Sequence, residues 1–227
     1  MHGDFSRSHT RDLVVQSSPQ HREFSALARY SIVKRSIDLM AALLLALPAL
    51  AIIAFLALLI QANGGRPFYG QRRLGRGGEI FTMWKLRTMV PDAEQRLQQH
   101  LQQDPTARLE WERTQKLQSD PRITKLGWYM RKYSIDELPQ LWNVLLGQMS
   151  LVGPRPMSLE QRILYPGNAY FDMRPGMTGL WQISERNQCS FEERARYDTH
   201  YSSIRSLKTD FRILLMTIMV VFRGTGL

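Results

Sequence analysis

Between Leu39 and Ile60 the chain carries no charged residue, and nearly every position is Leu, Ala or Ile. As a helix rising about 1.5 Å per residue, this run reaches roughly 33 Å, enough to cross a hydrocarbon core of about 30 Å. The core helix of a soluble protein is rarely apolar on every side. The segment therefore belongs in lipid, and the rest of the fold has to accommodate it. A cleaved secretory signal does not fit. The run begins too far into the chain, it is too long, and no small-x-small cleavage site follows it.

Two features bear on how the segment sits. Pro48, near its centre, removes one helical hydrogen bond and crowds the preceding turn, which predicts a kink. Both flanks are basic, with Arg29, Lys34 and Arg35 before and Arg66, Arg72 and Arg73 after. The positive-inside rule then gives no orientation. On the residues alone two arrangements stay open. One is a tilted single span bent at Pro48. The other is a helix that enters, bends and returns to the same face.

The charge balance narrows the partners. Lys+Arg number 30 against 20 Asp+Glu, a net charge of +10. That points to anionic lipid, phosphorylated substrates or nucleic acid. No nucleic-acid motif is present, and attraction to lipid headgroups already accounts for basic residues near a membrane, so nucleic acid is not an expected partner. Cys189 is the only cysteine, which excludes an internal disulfide and a cysteine-based zinc site. The histidines stand far apart at 2, 9, 21, 100 and 200 and offer no metal spacing. Neither Cys189 nor His200 is assigned a role.

The rest of the chain divides into a polar tail over 1–22, an amphipathic lead-in and membrane helix over 23–62, and a domain over 63–227. The expected class is α+β, mostly helical, with a small β-hairpin and amphipathic interfacial helices. The hairpin reads from Pro67-Phe68-Tyr69 and Ile80 to Trp84 around Gly75-Arg76-Gly77-Gly78. That glycine cluster lacks the Gly-Lys-Ser/Thr ending of a phosphate loop. A polar helical excursion follows over 91–118, with Leu97, Leu101, Leu109 and Leu117 on one thin face and a break at Asp104-Pro105. Gly153-Pro154-Arg155-Pro156 and Arg174-Pro175-Gly176 read as rigid turns. Residues 190–206 read as a polar helix, and 211–222 as an apolar one too short to span.

Asp136-Glu137 is the first candidate for chemistry. Neighbouring carboxylates on a helix point about 100° apart, so both can serve one small site. Aspartate attacks phosphorus to give an acyl phosphate, and hard oxygen ligands suit Mg²⁺ beside substrate phosphates. The same residues also read as a capping box, Ser134 to Glu137. Arg155 and Arg174, next to prolines, can offer forked donors to phosphate from fixed anchors, or simply be solvated. Lys85 and Arg87 alternate along a strand and could face one anionic cleft, or one polar sheet face. Asp198 reads by default as a surface acid.

Taken together, Lys85-Leu86-Arg87-Thr88-Met89, Asp120-Pro121-Arg122-Ile123-Thr124, Asp136 through Val144, Met149 through Pro156, and Arg174 through Gly179 form an ordered set. The set resembles the bacterial sugar transferases, the monotopic polyprenyl-phosphate phosphoglycosyl transferases, from about Tyr30 to the C-terminus. The resemblance implies an enzyme of the cytoplasmic (inner) membrane whose catalytic domain faces the cytoplasm. It would move a sugar 1-phosphate from a UDP-sugar to undecaprenyl phosphate and release UMP, starting an exopolysaccharide or O-antigen-type glycan. It implies Asp136 as nucleophile and Glu137 as holder of Mg²⁺. Lys85, Arg131, Arg155 and Asp198 match further site positions, with Arg87 and Arg174 added as substrate-binding cations. It also implies a re-entrant helix with both ends cytoplasmic, a hexose donor as in many exopolysaccharide-initiating members, and membrane lipid, downstream glycosyltransferases and self-association as compatible partners. Leu47 stands where the family often has Ser before the central proline, so one support of the kink is missing. The multi-span N-terminal region of larger relatives has no counterpart in this sequence, which reads as a compact catalytic core. A basic membrane anchor without activity is the rival reading.

Overall fold

A computed structural model of the chain describes residues 19–114, 117–184 and 191–224. Most of the expected N-terminal tail, and Cys189, lie outside these. The first element, α1 (Pro19–Ala62), is a single helix of 44 residues. It merges the expected lead-in with the membrane segment, begins earlier than residue 23, and continues through Pro48. Among the described residues it is the one helix long and apolar enough to cross a membrane, and only 17% of its apolar window is buried. So small a share separates it from a core helix. What it does bury is a narrow stripe, Ala42, Ala49 and Leu56 at seven-residue intervals and then Ile60, while Leu43, Leu44, Leu47, Leu50, Phe55 and Leu58 stay exposed.

The hairpin forms as expected. β1 (Phe68–Leu74) pairs antiparallel with β2 (Ile80–Leu86) from Phe68↔Leu86 to Leu74↔Ile80. Its tip is possible because Gly77 and Gly78 take positive φ. Period-two alternation buries Phe81 and Met83 and exposes Thr82 and Trp84. Lys85 shares the parity of Phe81 and Met83.

The polar excursion is two helices, α2 (Ala93–Gln103) and α3 (Pro105–Thr114). The break falls at Asp104, whose Oδ1 accepts the N–H groups of Thr106 at 2.8 Å and Ala107 at 3.1 Å. Restarting the helix there ends the phase that aligned the leucines. Leu97 and Ala107 are buried, whereas Leu109 is 68% exposed, contrary to the expected face.

α4 (Lys125–Lys132) is capped by Thr124, whose Oγ1 accepts the Gly127 N–H at 2.9 Å. A 3₁₀ turn over Ile135–Glu137 leads to α5 (Gln140–Leu145). Next come β3 (Ser150–Val152) and β4 (Gly176–Thr178), which pair in parallel. Here the sequence reading expected only turns, because three-residue strands leave no periodic pattern. The glycines are what allow the pairing: a Cβ on Gly176 would lie 2.1 Å from the Gly153 nitrogen, and one on Gly179 2.1 Å from the Gly153 oxygen. α6 (Leu180–Ile183), α7 (Phe191–Ile204) and α8 (Leu207–Arg223) complete the order.

The main core joins Phe81, Met83, Leu141, Val144, Met149, Val152 and Ile213 with Ala42 and Ala49 of α1. Buried Asn143 stitches β2 to α5 by accepting the Trp84 N–H at 3.1 Å and donating to the Thr82 carbonyl at 2.7 Å. At its other end α1 packs Leu56 and Ile60 against Leu86 and Met130. Its beginning is held by charge. Lys34 donates to Asp210 Oδ2 at 2.9 Å, Tyr30 donates to the same oxygen at 2.9 Å, and Tyr201 donates to Oδ1 at 2.6 Å. Arg35 donates to the Val144 and Leu145 carbonyls, and Ser150 Oγ donates to Asp38 at 2.6 Å. Both ends of the apolar helix are thus fastened to one domain.

α8 has two faces. Asp210 and Ile213 are buried, while Phe211, Leu215, Ile218, Met219 and Phe222 are exposed. Trp128 and Trp142 are also exposed, a combination suited to a headgroup layer.

Removing the Asp210 carboxylate leaves a half-buried ammonium with only Asp38, at 3.9 Å, among the described residues and deprives two tyrosine hydroxyls of their acceptor. Asp210→Ala is expected to lower unfolding free energy by about 3 kcal/mol or more, measured by chemical denaturation in detergent.

Candidate active site

Asp136 and Glu137 sit on the 3₁₀ turn between α4 and α5. The capping box expected there does not form. Ser134 takes a left-handed conformation (φ 54°, ψ 24°) and makes no cap bond. It is the one non-glycine residue with positive φ among those described. Such a conformation costs about 1–3 kcal/mol and persists only where the surroundings enforce it. It lets the chain leave α4 and turn at once, which sets the dyad against β2.

The carboxylates meet their cations at short range. Lys85 Nζ donates to Glu137 Oε1 at 2.7 Å and lies 4.0 Å from Asp136 Oδ2. Its inward parity on β2 brings it there. Arg155 has a terminal nitrogen 3.9 Å from Glu137 Oε1, and its side chain is 40% exposed, so it faces both the dyad and anything that enters. Arg131, on the last turn of α4, donates from Nε to Thr88 Oγ1 at 2.8 Å and interacts with Asp136 through its charge.

Asp136 is buried, and burial pushes its carboxyl up to about 6. Lys85 pulls it down, Glu137 raises it further and Arg131 lowers it. At neutral pH the carboxylate is therefore mostly ionised yet poorly solvated. An anion in that condition is a competent nucleophile.

The other anticipated residues lie at varying removes. Asp198 is buried beside a second core of Leu74, Met157, Tyr165, Tyr170 and Ala195, where it accepts from Tyr165 OH at 3.0 Å beside the Arg194 charge. Burial pushes its carboxyl up to about 6 as well. It is not the surface acid of the default reading. Arg194 donates to the Arg155 carbonyl, and the two guanidinium groups lie 5.4 and 5.9 Å from the Trp181 ring centre. Asp198 thus stands behind the arginine that faces Glu137. Arg87 lies past the end of β2, donates to the Arg66 carbonyl at 3.0 Å and stands over Tyr69. Arg174 lies with Arg35 and Arg76, and its Nε donates to the Gly147 carbonyl at 2.8 Å. That carbonyl belongs to the turn that follows α5.

Arg73 of β1 reads from the sequence only as part of a basic membrane flank. It is partly buried and near enough to Arg155 for the two charges to repel, and its Nε has no hydrogen-bond partner among the described residues. The second of two adjacent arginines on a short strand carries no sequence signal of its own. The surrounding fold supplies the meaning.

No group of three or more His, Cys, Asp or Glu side chains forms a metal cage among the described residues. Two adjacent hard carboxylates are nevertheless the donor set Mg²⁺ uses when a diphosphate supplies the remaining oxygens. The residues present fit that ion in company with substrate.

The model of the family described as "Bacterial sugar transferase" matches residues 29–224. The chain belongs to the bacterial sugar transferase family. It is 47% identical over 207 residues to the UDP-galactose-lipid carrier transferase of Erwinia amylovora, covering 88% of this chain and 43% of that protein. It is 42% identical over 195 residues to the undecaprenyl-phosphate galactose phosphotransferase of Salmonella typhimurium, covering 85% and 41%. The exopolysaccharide production protein ExoY of Sinorhizobium fredii is 45% identical over 197 residues, covering 85% and 87%. The chain therefore spans less than half the length of the two longer sugar transferase relatives and most of the length of the shorter one.

Because Arg174 ties the turn after α5, Arg174→Gln is expected to cost stability, about 1 kcal/mol by denaturant unfolding.

Proposed function

We propose that this protein is a membrane-bound phosphoglycosyl transferase that moves a hexose 1-phosphate from a UDP-sugar to undecaprenyl phosphate, the first step of an exopolysaccharide or related glycan. The observation that carries the reading is the buried Asp136 beside Glu137, with Lys85 between the two carboxylates, the Arg131 charge acting on Asp136 and half-buried Arg155 3.9 Å from Glu137 Oε1. Two relatives have galactose in their names, which makes UDP-galactose the first donor to try.

The chemistry runs in two displacements. An Asp136 carboxylate oxygen attacks the β-phosphorus of the UDP-sugar. The bond from that phosphorus to the bridging oxygen breaks, and UMP leaves with the bridging oxygen. The sugar phosphate is then an acyl phosphate on Asp136. In the second step a phosphate oxygen of the lipid attacks the same phosphorus and Asp136 departs as carboxylate. The lipid diphosphate sugar is the product. Lys85, Arg155 and Arg131 lower the repulsion between an anionic nucleophile and anionic substrates. Mg²⁺ held by Glu137 and the diphosphate would neutralise charge on the leaving group.

The topology proposed is re-entrant, with both ends of α1 and the domain on the cytoplasmic side of the inner membrane. A helix crossing the bilayer would put its ends roughly 30 Å apart on opposite faces. Here Lys34 is tied to Asp210 near one end, and Ile60 packs on Leu86 and Met130 at the other. Pro48 supplies the place to bend. Cysteines introduced at Ser31 and at Asn63 are both expected to react with a membrane-impermeant thiol reagent only in inverted vesicles or opened cells. Labelling of one from the outside would overturn this arrangement.

Detergent-purified protein with Mg²⁺, undecaprenyl phosphate and a panel of UDP-sugars should release UMP with one donor. Asp136→Asn is expected to reduce release at least about 10³-fold, because an amide is a poor nucleophile. Near-normal turnover by that variant would rule out the covalent step.

A further inference from the structure

The catalytic turn does not hold Arg131 by itself. Thr88, two residues past β2, is buried and meets α4 at two successive turns. Its carbonyl accepts the Thr124 N–H at 3.0 Å and the Thr124 Oγ1 at 3.3 Å, which fixes the helix start. Gly127 then lies directly on the Thr88 backbone, so close that a Cβ there would come within 2.0 Å of the Thr88 oxygen. One turn further along the same face, Arg131 Nε donates to Thr88 Oγ1 at 2.8 Å. On either side, the Met89↔Ile123 bridge and the Val90 N–H to Arg122 carbonyl bond (2.9 Å) clamp the two segments together.

The bond is specific in what it leaves over. With Nε used by Thr88, the guanidinium is held on the last turn of α4, whose end is joined to the dyad's turn by the Ser134 N–H to Arg131 carbonyl bond at 3.0 Å. Its charge acts on Asp136 and Asp120. Asp120 is already engaged by Arg122, which donates to its two oxygens at 2.8 and 2.7 Å, whereas Asp136 has no such arginine partner within 4.0 Å among the described residues. Lys85 leaves the same strand three residues earlier, so one short stretch of chain sets a cation directly and a second through a helix.

We propose that Thr88 is the positioning residue of the proposed phosphoryl transfer: its hydroxyl aims Arg131 at the Asp136 site. This rests on the reading of the protein as a phosphoglycosyl transferase. Thr88 itself touches no reacting atom.

The test is a double-mutant cycle in the full chain in detergent. Thr88→Val keeps the branched shape and removes the acceptor, while Thr88→Ser keeps the acceptor. UMP release should fall about 10- to 100-fold in kcat/KM in Thr88→Val and stay within about threefold of wild type in Thr88→Ser. In an Arg131→Gln background the further loss from Thr88→Val should shrink to about twofold or less. Equal losses in both backgrounds, or no rescue by serine, would overturn the proposal in favour of a packing role. A second readout is independent of turnover: affinity for UDP with Mg²⁺, by calorimetry, should weaken in Thr88→Val and in Arg131→Gln without adding in the double variant. If wild type binds UDP with this coupling but turns over no donor, the assigned reaction fails and the Thr88 to Arg131 coupling stands. If binding is insensitive to Thr88→Val, the positioning role fails.

Discussion

A helix that is apolar on nearly every face cannot be left in water, and in this protein everything else is arranged around holding its two ends. The grip at the beginning is electrostatic: Lys34 on Asp210, Arg35 on the last carbonyls of α5, Asp38 on Ser150. The grip at the far end is apolar, with Leu56 and Ile60 on Leu86 and Met130. Charged contacts need exact partners and fix register, whereas apolar ones tolerate sliding. The polar grip therefore sets where the helix sits, and the apolar one keeps it down. Asp210 lies on α8, whose outer face is itself apolar, so the same carboxylate joins two membrane-facing elements.

The catalytic turn inherits its position from both grips. Leu86 and Met130, which receive the far end of α1, neighbour Lys85 and Arg131 in sequence. Val144 and Leu145, which receive Arg35, belong to the helix that starts just after Glu137. The dyad is bracketed by residues that also hold the membrane segment. Preorganised charge works only where the groups are kept from relaxing toward substrate or water, and under the proposed function that rigidity has to be secured next to a fluid phase. The left-handed Ser134 is a local sign of the constraint.

Much of this was legible in the residues. The apolar run announced α1, glycines announced the hairpin tip, and the motif order pointed to Asp136, Glu137, Lys85 and Arg155. What was not legible depended on partners distant in sequence. Nothing local distinguishes Arg174, which ties the turn after α5, from Arg155, which faces the dyad, since both flank prolines. Asp198 looked like a surface acid because its burial comes from Tyr165 and the second core. The β3–β4 pair was hidden by brevity. Arg73 had no pattern to betray it. Ser134 misled in the other direction: a capping box was written in the sequence, and the tertiary contacts of the following turn overrode it.

Arg35 carries one more consequence. It sits on α1 and neutralises the carbonyl end of α5, so in the proposed arrangement the distance from the bilayer surface to the Asp136 turn is set along a single helix. That makes α1 a depth gauge as well as an anchor. Its reading depends on helical phase: one residue inserted between Arg35 and Ala42 would rotate the apolar stripe by about 100° relative to the polar grip. The length of chain between these two residues is thus as constrained as any side chain in the site, although no chemistry occurs there.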